Sequence, residues 1–278
     1  MDKQYTKIIE QHWYSEEPGE LLRRIDARLL SVGKNIDAIT TVDLAEIDEV
    51  HIRGRTATVE LGKIAGFGSP DHIIDIGSGL GGPSRYLASE FGCEVDGVDL
   101  TAEYCDVAND LSRRVGLGNR VRFRQGSALD LPFGDNSFDG AWMQHVSMNI
   151  SDKDRMFREI HRVIKPGRTV AIYDPIAGSG EPLTFPVPWA HSSNTSFLVD
   201  ADTTCQLLED VGFTIEVWRD VTPLSLDWAD AMTARARAGT APLGLSLLLG
   251  RHLPEMMSNM ANSLRLGRLA IVQIVAHS

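Results

Sequence analysis

Four glycines within six positions, Gly77, Gly79, Gly81 and Gly82, follow an apolar run that ends at Ile76 and is broken only by Asp75. The whole stretch, Asp71 to Ala88, reads as a buried strand, a glycine-dense turn and the first turns of a helix. Glycine reaches positive φ without strain and lets a ligand lie against the backbone. The helix that follows aims its first N–H groups at whatever sits over the turn. The stretch therefore marks a nucleotide-type site, and the chain around it says which nucleotide.

From Ile73 onward strands and helices alternate, the pattern of a parallel sheet covered on both faces. Strands are expected at 73–76, 94–98, 121–125, 140–143, 169–173, 213–218 and 269–276, seven in all. Helices are expected at 83–91, 102–115, 152–164 and 200–211, with Lys165-Pro166-Gly167 as a stop and Asp174-Pro175 as the end of the fifth strand. Residues 1–65 read as a helical cap, with leucines and isoleucines at helical spacing over 20–30, Asp43 as a helix cap and another helical pattern within 49–64, entered through Gly54. Residues 66–278 form the core, interrupted by cap insertions at about 176–200 and 224–264. Long irregular segments of the first kind tend to be functional loops.

A net charge of −11 argues against broad contact with nucleic acid or anionic lipid. Three cysteines without a CxxC pair fit a reducing compartment, and the N-terminus lacks the apolar core of a signal peptide. The longest apolar stretches, 243–249 and 269–276, are too short to span a bilayer, so a cytoplasmic protein is expected. No His, Cys or carboxylate set has metal-ligand spacing, and no metal is expected. A homo-oligomer is left open.

Gly77, Gly79 and Gly82 satisfy GxGxxG, a pattern that dinucleotide-binding folds share. Asp75, two residues before the first glycine, would crowd a pyrophosphate but suits a cationic amino group. Asp99 closes the second strand, where an acid accepts from both ribose hydroxyls in either class. Gly126-Ser127-Ala128 and the turn 131–139 have no role in hydride transfer and fit a loop over an adenine.

On these motifs the chain resembles the class I S-adenosylmethionine-dependent methyltransferases, from about Ile73 to Asp174. The resemblance implies a Rossmann-like α/β fold: a seven-stranded methyltransferase sheet, mostly parallel with an antiparallel last strand, helices on both faces and a helical cap. It implies S-adenosylmethionine as cofactor, with Asp75, Gly77, Ser78, Gly79 and Gly81 around the methionine part. Asp99 and Leu100 fall at the ribose and adenine, Ser127 and Ala128 at the adenine, and Gln144 at a further cofactor contact. Ser127 stands where the family most often has aspartate, and Arg168 where a second glycine is usual. GSALDLP, WMQHV, RVIKPG and YDP are similar to motifs in the branch of sarcosine/dimethylglycine and tocopherol-type methyltransferases.

The implied reaction is methyl transfer to a small-molecule acceptor at nitrogen, oxygen or carbon. Ligands sit over the carboxyl ends of parallel strands. That places His145 and Asp174 as catalytic candidates, His145 being the better base. Trp13, Tyr14, Phe185, Trp189, His191 and Phe197 are candidates for the pocket roof, and Arg53, Arg55 or Arg251 for an anionic acceptor. Met256, Met257 and Met260 read as core or pocket wall. Two alternatives stay open: a Rossmann dehydrogenase, which would need a catalytic constellation not evident after the fourth strand, and a non-catalytic cofactor-binding protein.

Overall fold

The computed structural model describes residues 19–241 and 243–278. Trp13 and Tyr14 lie outside the described residues. Seven strands pair into one sheet: β1 His72–Ile76, β2 Glu94–Asp99, β3 Val121–Gln125, β4 Phe138–Gln144, β5 Ile164–Ala177, β6 Thr214–Asp220 and β7 Leu269–His277. Their order is β3-β2-β1-β4-β5-β7-β6. β1 to β5 are parallel, and β7 runs antiparallel between β5 and β6. The central strands read as near-continuous apolar runs because helices cover both faces.

The order reverses between β1 and β4. The chain builds outward through β2 and β3, then returns to the far side of β1. The carboxyl ends part there, and the crevice between them is where such a sheet takes a ligand. Register sets the ends abreast: Ile76 lies opposite Val98 on one side and Met143 on the other.

Ten α-helices are described. α1 Glu20–Ser31, α2 Thr41–Asp48 and α3 Gly54–Ala65 precede the sheet. α4 Gly82–Tyr86 runs on into a wider π turn, Leu87–Phe91. α5 Ala102–Arg114, α6 Lys153–Val163 and α7 Ala201–Val211 are crossover helices. α8 Thr222–Arg237, α9 Leu243–Leu249 and α10 Leu253–Arg265 follow β6. α1 buries Leu21, Ile25 and Leu29, spaced four apart on one face, in a cluster with Leu44, Ile47 and Leu111. The N-terminal helices therefore pack over α5 beside the glycine turn. Met256, Met257 and Met260 are core residues.

Several expected boundaries shift for physical reasons. Asp43 does not cap α2; Thr40 does, and Asp43 is the third residue of a capping box that accepts from the Thr40 N–H. The helix within 49–64 does start at Gly54, as expected, and Glu49 to Arg53 form a non-helical connector before it. Lys165-Pro166-Gly167 is no turn between elements. Ile164 already pairs with Phe138, and Thr169 with Gly140, so two steps along β4 face five along β5 and the intervening residues bulge. Nor does Asp174-Pro175 end β5. β4 stops opposite Tyr173, so Pro175 needs no N–H on that side and pairs with Ile271 of β7 on the other.

Candidate functional site

A cavity of about 220 Å³ opens over the carboxyl ends of β1, β2 and β4. The glycine turn forms its floor. Gly77 holds φ 66°, and a Cβ there would sit 2.4 Å from Val146 Cγ2, so any larger residue would displace the loop after β4. The Gly77 and Ser78 N–H groups donate to the Val98 carbonyl at 2.8 and 3.1 Å, which ties the turn to the end of β2.

Of the cofactor residues expected from sequence, Asp75, Gly77, Ser78, Gly79, Asp99, Leu100, Ser127, Ala128 and Gln144 all line this cavity. Gly81 does not. Its Cβ position points at Phe123 Cζ, 2.5 Å away, and at the Arg85 guanidinium, so Gly81 is a packing glycine that opens α4 in left-handed conformation.

Asp75 is 2% exposed, and the Ser84 hydroxyl donates to its Oδ2 at 2.5 Å. Burial pushes its carboxyl up to about 7; the Ser84 hydrogen bond opposes that, while the charges of Asp99 and Glu49 add to it. Asp99 accepts from the Gly79 and Thr101 N–H groups, each at 2.9 Å. Burial still carries its carboxyl above the usual range. A carboxylate has about four acceptor positions, so both oxygens keep capacity for a ligand.

Gln144 is held in one orientation. Its Oε1 accepts from the Trp142 indole at 3.0 Å, and the Thr58 hydroxyl stands 3.2 Å away. Its Nε2 is then a buried donor without a hydrogen-bond partner among the described residues, as are Ser78 Oγ, Tyr104 Oη and His145 Nε2. Each residue lines the cavity. Buried polar atoms are rarely left unpaired, so this cluster reads as ligand-binding capacity.

His145 sits at φ 55°, stacked on Tyr173 at 5.4 Å between ring centroids. Burial and the neighbouring His51 hold its basicity well below the usual histidine range. Asp174 is placed otherwise than expected. It does not line the cavity; its oxygens accept from the Val146 and Ser147 N–H groups at 2.9 and 3.1 Å, clamping the loop that carries His145. Replacing Asp174 by alanine orphans two buried N–H groups, at about 1–3 kcal/mol each. The expected outcome is a lowered Tm in thermal melts with His145 displaced, rather than a clean loss of a chemical step.

Sequence reading passed over Glu49 and gave His51 no role. The structure brings them together at the cavity wall. Glu49 Oε2 lies 2.8 Å from His51 Nε2 and accepts from the Thr58 hydroxyl at 2.6 Å, and Arg55 pairs with Oε1 at 2.5 Å. Burial would raise the Glu49 carboxyl, but the hydrogen bonds and charges of His51, Arg55 and Thr58 outweigh it and leave it below its ordinary value. No local pattern signals the pair, because Glu49 and His51 meet in a bend and turn that ends with Arg53 in left-handed conformation.

The arginines suggested for an anionic acceptor are otherwise engaged. Arg53 makes a two-pronged contact with Glu60 at 2.6 and 2.7 Å, Arg55 serves Glu49, and Arg251 lies exposed in the turn before α10. No arginine or lysine among the described residues lines the cavity. Of the candidate roof residues Trp189 lines it, whereas Phe185, His191 and Phe197 do not. No helix of the described residues is long and apolar enough to cross a membrane.

Residues 74–172 match the profile of a methyltransferase domain family. The methyltransferase GfsG of Streptomyces halstedii is 31% identical over 161 residues, 58% of this chain and 56% of that one. Tocopherol O-methyltransferase of Arabidopsis thaliana is 39% identical over 100 residues, 36% of this chain and 29% of that one. The chain thus spans about half the length, or less, of these curated relatives. Geranyl diphosphate C-methyltransferase from Streptomyces coelicolor, solved with Mg2+, geranyl diphosphate and S-adenosyl-L-homocysteine, superposes with a TM-score of 0.72 at 22% identity, covering 99% of this chain and 98% of that one. The motif resemblance drawn from sequence is upheld over the stretch that carried it, and the sheet is the seven-stranded methyltransferase sheet. The dehydrogenase and non-catalytic alternatives find no support in these likenesses.

Proposed function

We propose that this chain, which carries a methyltransferase domain over residues 74–172, transfers a methyl group from S-adenosylmethionine to a small-molecule acceptor. The observation that carries the reading is the charge of the cavity. Asp48 and Asp75 line it beside the glycine turn, and no arginine or lysine among the described residues does. A dinucleotide would bring a pyrophosphate against these acids. The methyl donor instead brings a sulfonium and an ammonium, whose positive charge they favour.

In this reading Asp75 faces the ammonium and Asp99 the ribose hydroxyls. Gly77, Ser78 and Gly79 give the methionine part close backbone approach. Leu100, Ser127 and Ala128 enclose the adenine, and the fixed Gln144 amide donates from Nε2. The sulfonium supplies an already reactive methyl group, so the chain's own task is alignment and exclusion of water. Trp189 supplies an aromatic wall, which favours a nearby cation.

Calorimetry with S-adenosylhomocysteine tests the reading. The product binds and raises Tm, and NADH does neither. A cation beside Asp75 favours its ionised form, whereas the free protein holds that carboxyl protonated below about 7. Affinity is therefore higher at pH 8 than at pH 6, and binding releases a proton that buffers of different ionisation heat reveal. Stabilisation by NADH with no response to S-adenosylhomocysteine contradicts the assignment.

A further inference from the structure

We propose that His51, seated on Glu49, is the general base of this site, and that the acceptor is a neutral hydroxyl compound with an apolar body. The inference rests on the methyltransferase reading above and adds the acceptor class to it.

Three features separate His51 from an ordinary packed histidine. First, its Nε2 faces a carboxylate with no exposed side-chain surface, at 2.8 Å. That contact fixes the tautomer with the proton on Nε2 and orients the ring, as a buried acid does behind a catalytic histidine. Second, Nδ1 has only the Ile52 carbonyl, 3.3 Å away. A neutral ring leaves that contact unbonded, and a protonated ring turns it into a hydrogen bond. The imidazolium is thus supported on both sides, by Glu49 and by Ile52. Third, His51 lines the cavity, and its ring stands 5.8 Å from that of His145, which lines it too.

His145, the base expected from sequence, lacks this support. No carboxylate stands behind its ring, and the His51 ring lies 5.8 Å away. Two imidazolium ions at that separation repel, and of the two rings only that of His51 has a carboxylate behind it. His145 stays neutral and faces the acceptor as a hydrogen-bonding wall.

A base is needed only where the nucleophile must lose a proton. A neutral amine and a carboxylate attack without one; a hydroxyl does not. Val50, Met148, Ile150, Pro188, Trp189 and Leu248 make the rest of the acceptor side largely apolar. In the step, the acceptor oxygen forms a bond to the methyl carbon as the carbon–sulfur bond breaks. The electron pair stays on sulfur, and the hydroxyl proton passes to His51 Nδ1 and then to solvent. Charge balances: one sulfonium is consumed, and one proton is released.

The groups that face His51 are Glu49, the Thr58 hydroxyl 3.2 Å from the same Nε2 and, through Glu49, Arg55; across the cavity wall stand His145, Tyr173, Asp48 and Asp75. The experiment supplies methyl-labelled S-adenosylmethionine with a panel of neutral phenols, aliphatic alcohols, amines, carboxylic acids and alkyl diphosphates. Label is expected on hydroxyl compounds. His51→Asn and the isosteric Glu49→Gln then lower kcat by about 10²- to 10³-fold, within the range general-base catalysis contributes. Both bind S-adenosylhomocysteine within a few-fold of the parent. Glu49→Gln moves the acid limb of the kcat–pH profile to lower pH, because the imidazolium loses its carboxylate; a purely structural role leaves that limb in place. His145→Asn costs less than His51→Asn. Label confined to amines, carboxylates or diphosphates, or an unchanged kcat in a folded His51→Asn, overturns the proposal. Failure of the parent protein to bind S-adenosylhomocysteine overturns the underlying reading instead.

Discussion

Asp99→Ala is expected to weaken S-adenosylhomocysteine binding at least a hundredfold, measured by calorimetry at pH 7.5. The side chain has two duties. In the proposed reading it accepts from both hydroxyls of a ribose, and hydrogen bonds to a charged group contribute about 1.5–3 kcal/mol each. It also accepts from the Gly79 and Thr101 N–H groups, the first in the glycine turn and the second at the start of α5. Loss of the ligand bonds alone amounts to about 3 kcal/mol or more, which is a factor of about 10² in Kd. Loss of the clamp slackens the floor of the cavity as well. Asp99→Asn separates the two duties. It keeps one acceptor oxygen for a backbone N–H and loses the charge, so its deficit falls between those of the parent and the alanine variant. Equal affinities in all three proteins would remove Asp99 from the ligand site.

The part of this site built from consecutive residues was legible in the sequence. A strand, a glycine turn and a helix N-terminus are local, and each constrains its backbone strongly. Gly77, Gly79, Asp75 and Asp99 could be placed because the strand register that brings them together follows from the alternation of elements. Residues whose role depends on side-chain direction were not legible. Asp174 was expected to close the fifth strand, as a catalytic acid would, yet β5 runs on to Ala177 and successive strand residues point to opposite faces. Its carboxylate turns to the Val146–Ser147 loop instead. Gly81 looked like one more ligand glycine, but the space its missing side chain leaves is taken by Phe123 and Arg85.

Glu49 and His51 were hidden for a different reason. They sit some 25 residues before the glycine turn, in a stretch whose composition reads as helix. Their meeting with Thr58 and Gln144 depends on how the N-terminal helices dock, which is set by tertiary packing of Leu44, Ile47 and their neighbours rather than by local pattern. The K-P-G bulge has the same origin. Locally it has the residues of a turn, but pairing of Ile164 with Phe138 recruits it into β5.

The same docking predicts the largest stability effect, at Arg85. Its side chain has no exposed surface, and it donates to Asp48 Oδ2 at 2.7 Å, Ser112 Oγ at 2.9 Å and the Ala108 carbonyl at 3.1 Å, with a further bond to the Leu80 carbonyl. One guanidinium thus joins the end of α2, the middle of α5 and the glycine turn. Arg85→Met leaves Asp48 buried without its cation, and breaking such a pair costs about 3–5 kcal/mol. For a chain of this size that lowers Tm by about 6–20 °C. The pH dependence follows in sign. Burial already pushes the Asp48 carboxyl up to about 6, with the Arg85 charge opposing. Without Arg85 it rises further. A folded-state value above the unfolded one means stability is lost as pH rises, because the native carboxyl keeps a proton that the unfolded one has released. Melts of Arg85→Met should therefore fall further below the parent at pH 8 than at pH 5, and adding Asp48→Asn should recover part of the loss at pH 8. Asp48 lines the cavity and Leu80 adjoins Gly79, so S-adenosylhomocysteine binding should weaken in Arg85→Met although Arg85 itself does not line the cavity. A variant that melts like the parent at both pH values would mean that apolar packing around Leu44, Ile47 and Leu111, not this buried pair, fixes the cap on the site.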